Sequence, residues 1–462
     1  MKTKVFNKEI LNKLKKYLDD FNYHLILTIV LGENIYFTNP LPEYKRVKTE
    51  IKKLELNIQK IISFFMLGEP IEKKVLENEL EQSVINYLYC EQIINQDDTH
   101  YWMNNYVLTS YCNCYFVVSN VFYYPTCQGK EQKPYIGCDS YWLSRIIVNK
   151  LSGEVLDLCS GSGIQAILAA KTAQHVVAVD IDEESATIAA FNSCLNGVSD
   201  KINIRTGNLY DVLNEEEKFD YIISNPPFIP IPDNIDFHKC GDGGADGAEI
   251  IRRILNGYTT HLKKNGEAIM IGQCIGDNNK PFIIQNIDEC INELETRVVV
   301  SGRTLIKEQA NGFAELARLY NNKDSNEIKS DAWLEVYNVL NVEYFYNFTL
   351  FAYNNAGEHK LIRINDTWDI NDIPMINYTS VTEISKTYTV KNYKNQSYVI
   401  DDEAATFLKL LDNEKSIEEI VSIMPLKYKL RYGINGEDKQ KAKLLSLCSL
   451  YERQEIIKKN QL

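Results

Sequence analysis

The run Val155-Leu156-Asp157-Leu158-Cys159-Ser160-Gly161-Ser162-Gly163-Ile164 constrains this chain more than any other stretch. Apolar, partly β-branched residues break into a short Gly/Ser loop, and a helix-forming segment, Gln165 to Thr172, follows at once. The pattern predicts a strand, a tight turn and a helix N-terminus, which places the surrounding chain in an α/β fold. Without Cβ atoms, Gly161 and Gly163 let the backbone pass close beneath a ligand. The helix start offers unpaired N–H groups to polar or anionic atoms. The loop alone is equally compatible with a sharp structural turn.

The next apolar run, His175-Val176-Val177-Ala178-Val179, ends in Asp180, roughly twenty residues beyond the glycines. A nucleotide-binding βαβ unit places a carboxylate there, against ribose hydroxyls. Because the loop is not quite G-x-G-x-x-G, a further signal has to decide. It comes after Phe219-Asp220-Tyr221-Ile222-Ile223-Ser224, which runs into Asn225-Pro226-Pro227-Phe228. Two prolines can neither continue a ladder nor open a helix immediately, so they define a rigid edge. That edge sets an amide, carbonyls and an aromatic face at the carboxyl end of the sheet, where open α/β folds bind ligands.

With these three signals in order, residues from about 135 to 321 resemble a class I S-adenosylmethionine-dependent methyltransferase of the subgroup with an N-P-P-[FY] motif. Within that subgroup the likeness is to the HemK-like, release-factor glutamine N5-methyltransferases. It is supported by Gly243-Gly244-Ala245-Asp246-Gly247-Ala248 with Arg252-Arg253-Ile254-Leu255, similar to the G-G-x-D-G-L and R-x-I of these proteins. Tyr135-Ile136-Gly137-Cys138-Asp139-Ser140 looks like their cofactor-capping segment. Two departures stand out: Cys159 occupies a position that is Gly in many members, and Gly207-Asn208 replaces the usual Gly-Asp.

The resemblance implies S-adenosyl-L-methionine as cofactor and S-adenosyl-L-homocysteine as product. It assigns Asp157 to the methionine amino group and Gly161, Gly163 and Cys159 to the loop beneath it. Asp180 with Ile181 would take the ribose, and Asn208 with Leu209 the adenine. Asn225, Pro226 and Phe228 would grip a planar acceptor nitrogen, with Asn225 also touching the cofactor. Pro227, Tyr135, Asp139 and Ser140 would bound the substrate, and no metal is implied. The Asn225 oxygen and the Pro226 carbonyl would accept two N–H bonds and favour a tetrahedral nitrogen, with no strong base required. Asp182 is expected to cap a helix, and His238 and His261 to be surface or packing residues.

Formal charge is −13, from 50 basic and 63 acidic side chains, a poor footprint for a partner made of phosphates. Residues 1 to 60 hold twelve Lys/Arg against seven Asp/Glu, a surplus expected on the solvated faces of helices. Eleven cysteines include no C-x-x-C pair, and Cys112-Asn113-Cys114 has no His nearby, so neither a zinc site nor a disulfide framework is expected. No apolar run suits a signal peptide or a membrane span, and the expected location is the cytoplasm.

The expected fold class is α/β: a Rossmann-like class I methyltransferase sheet with helices on both faces, flanked by a mainly helical, winged-helix-like N-terminal domain and a small α+β C-terminal domain. Expected boundaries are 1–132, 133–322 and 323–462, the last marked by the polar run Asn322-Lys323-Asp324-Ser325. Periodicity predicts N-terminal helices over Lys8 to Asp19, Tyr44 to Leu67, Ile71 to Glu79 and Glu81 to Tyr89. Extended segments near Glu91 to Ile94 and Tyr101 to Leu108 form a wing with an acidic tip, Asp97-Asp98, and the aromatics of Tyr111 to Tyr124 are expected in the core. A parallel sheet is expected from strands near Glu154 to Cys159, Val176 to Asp180, Ile202 to Thr206, Tyr221 to Ser224, Glu267 to Gly272 and Thr296 to Ser301. Later come a helix near Ala332 to Leu340, strands near Tyr344 to Tyr353 and Lys360 to Ile364, and helices over Asp402 to Leu411 and Ser416 to Met424. The last opens with a capping box, Ser416 with Glu419. That end faintly resembles PqqD-like peptide-holding domains, and a substrate-orienting or dimerising role stays open beside it.

Three functions remain open at this level. The acceptor is an amide or planar amine on a protein, peptide or small molecule; or it is adenine or guanine in nucleic acid; or the chain binds the cofactor without turnover. Methylation of oxygen, as in natural-product enzymes, is a further alternative.

Overall fold

A computed structural model of the chain describes residues 4–31, 47–119, 134–233, 235–237, 240–277, 280–321, 329–355, 357, 359–363, 373–384, 387–431, 440–441, 443–445, 447–448, 451 and 456–459. The chain divides into two compact units, one of residues 1–299 and 304–362, the other of 300–303 and 363–462.

The first unit begins with the helix Lys8–Asp20, whose N-cap Asn7 accepts the Ile10 N–H and whose Leu11, Leu14 and Leu18 are buried on one stripe. The expected helix over Tyr44 to Leu67 is interrupted: residues 47–51 are helical, a turn follows, and a second helix runs Leu56–Leu67. Residues 44–46 lie outside the described residues. The break carries neither Gly nor Pro, so the apolar periodicity runs through it unseen. Helices Lys73–Glu79 and Gln82–Cys90 precede a small sheet in which Ile94–Gln96 and Ile71–Glu72 flank His100–Met103. The strand expected over Tyr101 to Leu108 is two, His100–Met103 here and Tyr106–Tyr111 in another sheet, with Asn105 at φ 57° turning the chain between them. The acidic wing tip is a turn in which Asp97 accepts the backbone N–H groups of Thr99 and His100 at 2.7 Å each.

A separate hairpin joins Tyr106–Tyr111 to Cys114–Ser119 through Cys112 and Asn113, both at positive φ, as two-residue hairpin corners require. Tyr115 and Phe116 are core residues; residues 120–124 of the aromatic stretch lie outside the described residues. The edge of this hairpin meets two side chains that imitate a neighbouring strand. Asn192 exchanges hydrogen bonds with the Val117 N–H (2.8 Å) and C=O (3.1 Å), and Asn196 does the same with Tyr115 (2.9 and 2.7 Å). Buried amides paired in this way tie the N-terminal elements to helix Glu183–Leu195. The expected boundary at 132/133 therefore falls inside one compact unit.

The main sheet has eight strands in the order 359–363, 295–305, 344–353, 262–276, 219–224, 154–158, 175–180, 202–206. From Leu262–Gly276 to Ile202–Thr206 the neighbours run parallel, through buried apolar strands. Tyr344–Tyr353 then pairs antiparallel with Leu262–Gly276 over ten residues, Glu267 opposite Tyr353 to Gly276 opposite Tyr344. Two expectations change here. The sheet is mixed, and it does not end at residue 322, because the strand that completes it lies beyond the polar run once read as a boundary. That run, Asn322 to Ser325, lies outside the described residues. Between Leu262 and Glu267 the register of the long strand shifts, with Asn265 at φ 64°. Strand order reverses on either side of Glu154–Leu158, and the carboxyl ends of strands at such a reversal leave a crevice.

The second unit, considered by itself, holds a three-stranded antiparallel sheet (Tyr378–Ile384, Thr387–Asn392, Ser397–Ile400) and helices Asp402–Lys409, Ile417–Ile423 and Leu426–Arg431. The capping box forms as expected: the Glu419 N–H donates to the Ser416 hydroxyl and the Ser416 N–H to the Glu419 carboxylate.

Candidate active site

A cavity of about 320 Å³ opens at the carboxyl ends of Glu154–Leu158, His175–Asp180 and Phe219–Ser224. Its floor is the Gly/Ser loop. Gly161 stands at φ +51° with nothing within 4 Å of where a Cβ would project, so the backbone is bare toward the cavity. Cys159, the departure noted in the sequence, also lines the cavity and adopts φ +61° with its Cβ in place, a conformation that strains a side-chain-bearing residue. Burial pushes its thiol well above the ordinary range, which favours the protonated form. Leu209, which lines the cavity beside Asn208, is a second strained residue, at φ +52°.

Asp180 and Ile181 form one side. The Asp180 carboxylate accepts the Gly161 N–H (2.7 Å) and the Asp182 N–H (3.0 Å), and burial raises its pKa against those bonds. Asp182 caps helix Glu183–Leu195 by accepting the Ser185 N–H at 2.7 Å. Opposite stand Asn225, Pro226, Pro227 and Phe228, with Tyr135, Asp139 and Ser140 closing the rim from the start of helix Cys138–Ile147.

Two expected site residues are not on the wall. Asp157 is buried and does not line the cavity; burial raises its pKa well above the carboxylate range. Its Oδ2 is a further buried acceptor with no hydrogen-bond partner among the described residues. Gly163 faces helix Glu183–Leu195, where a Cβ would meet the Ala189 Cβ at 2.9 Å. Its missing side chain serves close helix packing.

The Asn-Pro-Pro-Phe ledge is clasped from outside by the glycine-rich segment after it. Ile229 donates to Gly241 O and accepts from Gly243 N, both at 2.9 Å, and Ile231 donates to Gly244 O at 3.0 Å. Gly243 and Gly247 lie so close that Cβ atoms there would stand 2.8 Å from Phe228 Cα and 2.5 Å from Phe228 O. Asp246 holds Arg252 through two hydrogen bonds, at 2.6 and 3.1 Å, and accepts the Ala248 N–H at 3.0 Å. The role of that motif is therefore to brace the ledge.

Three buried polar atoms on this cavity have no hydrogen-bond partner among the described residues: Ser160 Oγ, Ser162 Oγ and Asn225 Oδ1. Buried polar groups are almost always paired, so an orphan on a cavity wall marks where a ligand's polar group can go. The two serines were not singled out by the sequence reading, although they sit inside the motif it was built on. Only burial, which a sequence does not display, sets them apart. Four lining residues are aspartates (139, 180, 182 and 242), and the described lining contains no Lys, Arg or His. His261 packs instead: its Nδ1 meets Glu217 O at 2.9 Å and its ring stacks on Tyr210 at 4.9 Å. His238 lies outside the described residues.

Residues 138–280 match the model of the family described as "Methyltransferase small domain". A ribosomal protein uL3 glutamine methyltransferase from Bradyrhizobium diazoefficiens is 36% identical over 125 residues, covering 25% of this chain and 39% of the relative. A release factor glutamine methyltransferase from Rhodopirellula baltica is 35% identical over 147 residues, covering 29% and 50%. A putative protein N5-glutamine methyltransferase from Methanocaldococcus jannaschii is 35% identical over 133 residues, covering 28% and 66%. The chain thus spans about two fifths to two thirds of the length of these relatives. A Rossmann-like sheet with a cavity at its strand reversal and an Asn-Pro-Pro-Phe ledge defines a class I methyltransferase domain. Within that class the domain is similar to those of the glutamine methyltransferases named above.

Proposed function

We propose that this chain transfers a methyl group from S-adenosyl-L-methionine to the planar nitrogen of a side-chain amide, with glutamine in a protein as the acceptor. The observation that carries this reading is Asn225 Oδ1, a buried acceptor on the cavity wall with no partner among the described residues. It is the group that a donor NH2 would satisfy.

The cavity suits the cofactor. The bare turn at Gly161 offers a cradle, Asp180 keeps lone pairs for hydroxyls, and four aspartates favour a cation. When bound, the cofactor supplies an electrophilic methyl group on a sulfonium. The chain's own residues do the rest. Asn225 Oδ1 and the Pro226 carbonyl accept the two N–H bonds of the acceptor amide, which favours a pyramidal nitrogen and stabilises the positive charge that grows on it. Phe228, braced by Gly243 and Gly247, covers the flat face of the amide and excludes water. The ledge cannot yield, because two prolines and the outer clasp hold it. No base is needed, since an N-alkylated amide cation surrenders its proton to solvent.

The acidic lining and the overall charge of −13 favour a protein acceptor over a polyphosphate one. Among the described residues no helix is long and apolar enough to cross a membrane. The test is incubation of the purified chain with methyl-tritiated S-adenosylmethionine and a ribosome-rich bacterial extract, followed by complete enzymatic digestion, which preserves side-chain amides. Label recovered as N5-methylglutamine supports the reading; label in nucleotides, or none in protein, overturns it.

A further inference from the structure

Asn225 Nδ2 donates to Asp139 Oδ2 at 2.8 Å, and the opposite end of the same amide, Oδ1, is the buried atom left bare. A primary amide turned through 180° has nearly the same shape, so packing alone does not decide which end faces the acceptor. A carboxylate does, because it only accepts hydrogen bonds and can be served only by the NH2 end. We infer that Asp139 is a positioning residue that fixes the Asn225 amide with its oxygen toward the acceptor. The inference rests on the methyl-transfer reading for its consequence, though not for its geometry.

The carboxylate is itself held on three sides. It lies in the first turn of helix Cys138–Ile147, where a negative charge is favoured. It is tucked against Gly137, where a Cβ would meet Asp139 Oδ1 at 2.3 Å, so no other residue at 137 leaves the carboxylate in place. The helix start is pinned to the Gly/Ser loop's helix by the buried Gln165, whose Nε2 donates to Ser140 O at 3.0 Å. Gln165, the Ser140 carbonyl, Asp139 and Asn225 form one continuous path from the cofactor-side helix to the acceptor-side ledge. Ser140 Oγ, at 3.5 Å from Asn225 Nδ2, is too distant to replace the carboxylate.

The experiment uses the full chain labelled with ¹⁵N-asparagine, in which the Asn225 side-chain signals are identified by their loss in Asn225→Ser. In the unaltered chain the two Asn225 amide protons are expected to exchange slowly with solvent. In Asp139→Ala they should exchange at least tenfold faster, while Asp139→Asn, which keeps an acceptor oxygen, should restore most of the protection. In the labelled-methyl assay, Asp139→Ala should lower kcat by roughly 10²-fold, the scale of a misoriented contact, with KM for S-adenosylmethionine unchanged. Unchanged exchange in Asp139→Ala, or fast exchange already in the unaltered chain, overturns the role given to Asp139. Calorimetry with S-adenosylmethionine separates the two ideas: no heat of binding removes the methyl-transfer reading, whereas the exchange result decides the positioning of Asn225 on its own.

Discussion

The Asp180 carboxylate accepts the Gly161 backbone N–H at 2.7 Å, so the acid that ends one strand also holds the turn that ends its neighbour. Asp180→Ala is expected to loosen the turn and remove the hydroxyl partner together, weakening S-adenosylmethionine binding by about 10- to 100-fold, in line with the loss of charge-assisted hydrogen bonds. Because burial raises the pKa of this acid, affinity should fall on acidification earlier than for an ordinary aspartate. Titration calorimetry across pH checks both statements.

Asn225→Ala should do the opposite. Cofactor affinity stays within about threefold while the rate of transfer falls by roughly 10²- to 10³-fold, as on removal of one preorganised polar group at a reacting centre. Single-turnover kinetics at saturating cofactor measures the rate, and equal losses of affinity in Asn225→Ala and Asp180→Ala would contradict the division of labour between the two walls.

Gly247→Ala tests the outer clasp. At φ +74° a Cβ is strained, and here it would stand 2.5 Å from Phe228 O. Destabilisation of about 1–3 kcal/mol is expected from the two effects together, with a drop in kcat larger than any change in cofactor affinity. Thermal unfolding alongside calorimetry reads both.

Arg205 grips Glu217 with two hydrogen bonds, at 2.9 and 2.7 Å, and pulls its carboxyl down to about 2. A carboxyl with a depressed folded pKa contributes stability above its unfolded pKa and loses it as pH falls toward the folded value. The pair is partly solvated, at 22% and 26% side-chain exposure, which reduces its worth to the order of 1–2 kcal/mol. Urea unfolding between about pH 5 and pH 2 should therefore show a steeper acid loss for the unaltered chain than for Glu217→Gln.

Asp157 behaves in the reverse sense. Burial raises its pKa well above the usual range, so the unfolded chain ionises first and stability falls as pH rises from about 4. Asp157→Asn removes that cost while keeping the shape of the side chain. It should raise stability near neutral pH by on the order of 1 kcal/mol, a gain that vanishes in acid. Denaturation of both chains at pH 4 and pH 7 checks it.

Much of the site was legible because its parts are local. A strand, a Gly/Ser turn and a helix start are written in consecutive residues, and so is the proline-stiffened ledge; Cys159, Gly161, Asp180, Asn208 and Asn225 all reach one cavity. What local patterns leave open is burial and partnership. That Asp157 is buried off the cavity wall and that Gly163 lies against Ala189 depend on neighbours distant in the chain. The same holds for the end of the sheet. Tyr344–Tyr353 reads as a strand, but its antiparallel partner Leu262–Gly276 lies far upstream, with Glu267 opposite Tyr353 and Gly276 opposite Tyr344.

The residues in order were enough to determine the class of fold, the strand-turn-helix cradle and the ledge, since each is set by short-range backbone preferences. Tertiary structure alone decided which buried polar atoms are left without partners, that Asp139 takes the NH2 end of Asn225 from 86 residues away, and that the N-terminal elements join the catalytic sheet through Asn192 and Asn196. Those outcomes depend on burial and on contacts between distant segments, which exist only once the chain has closed on itself.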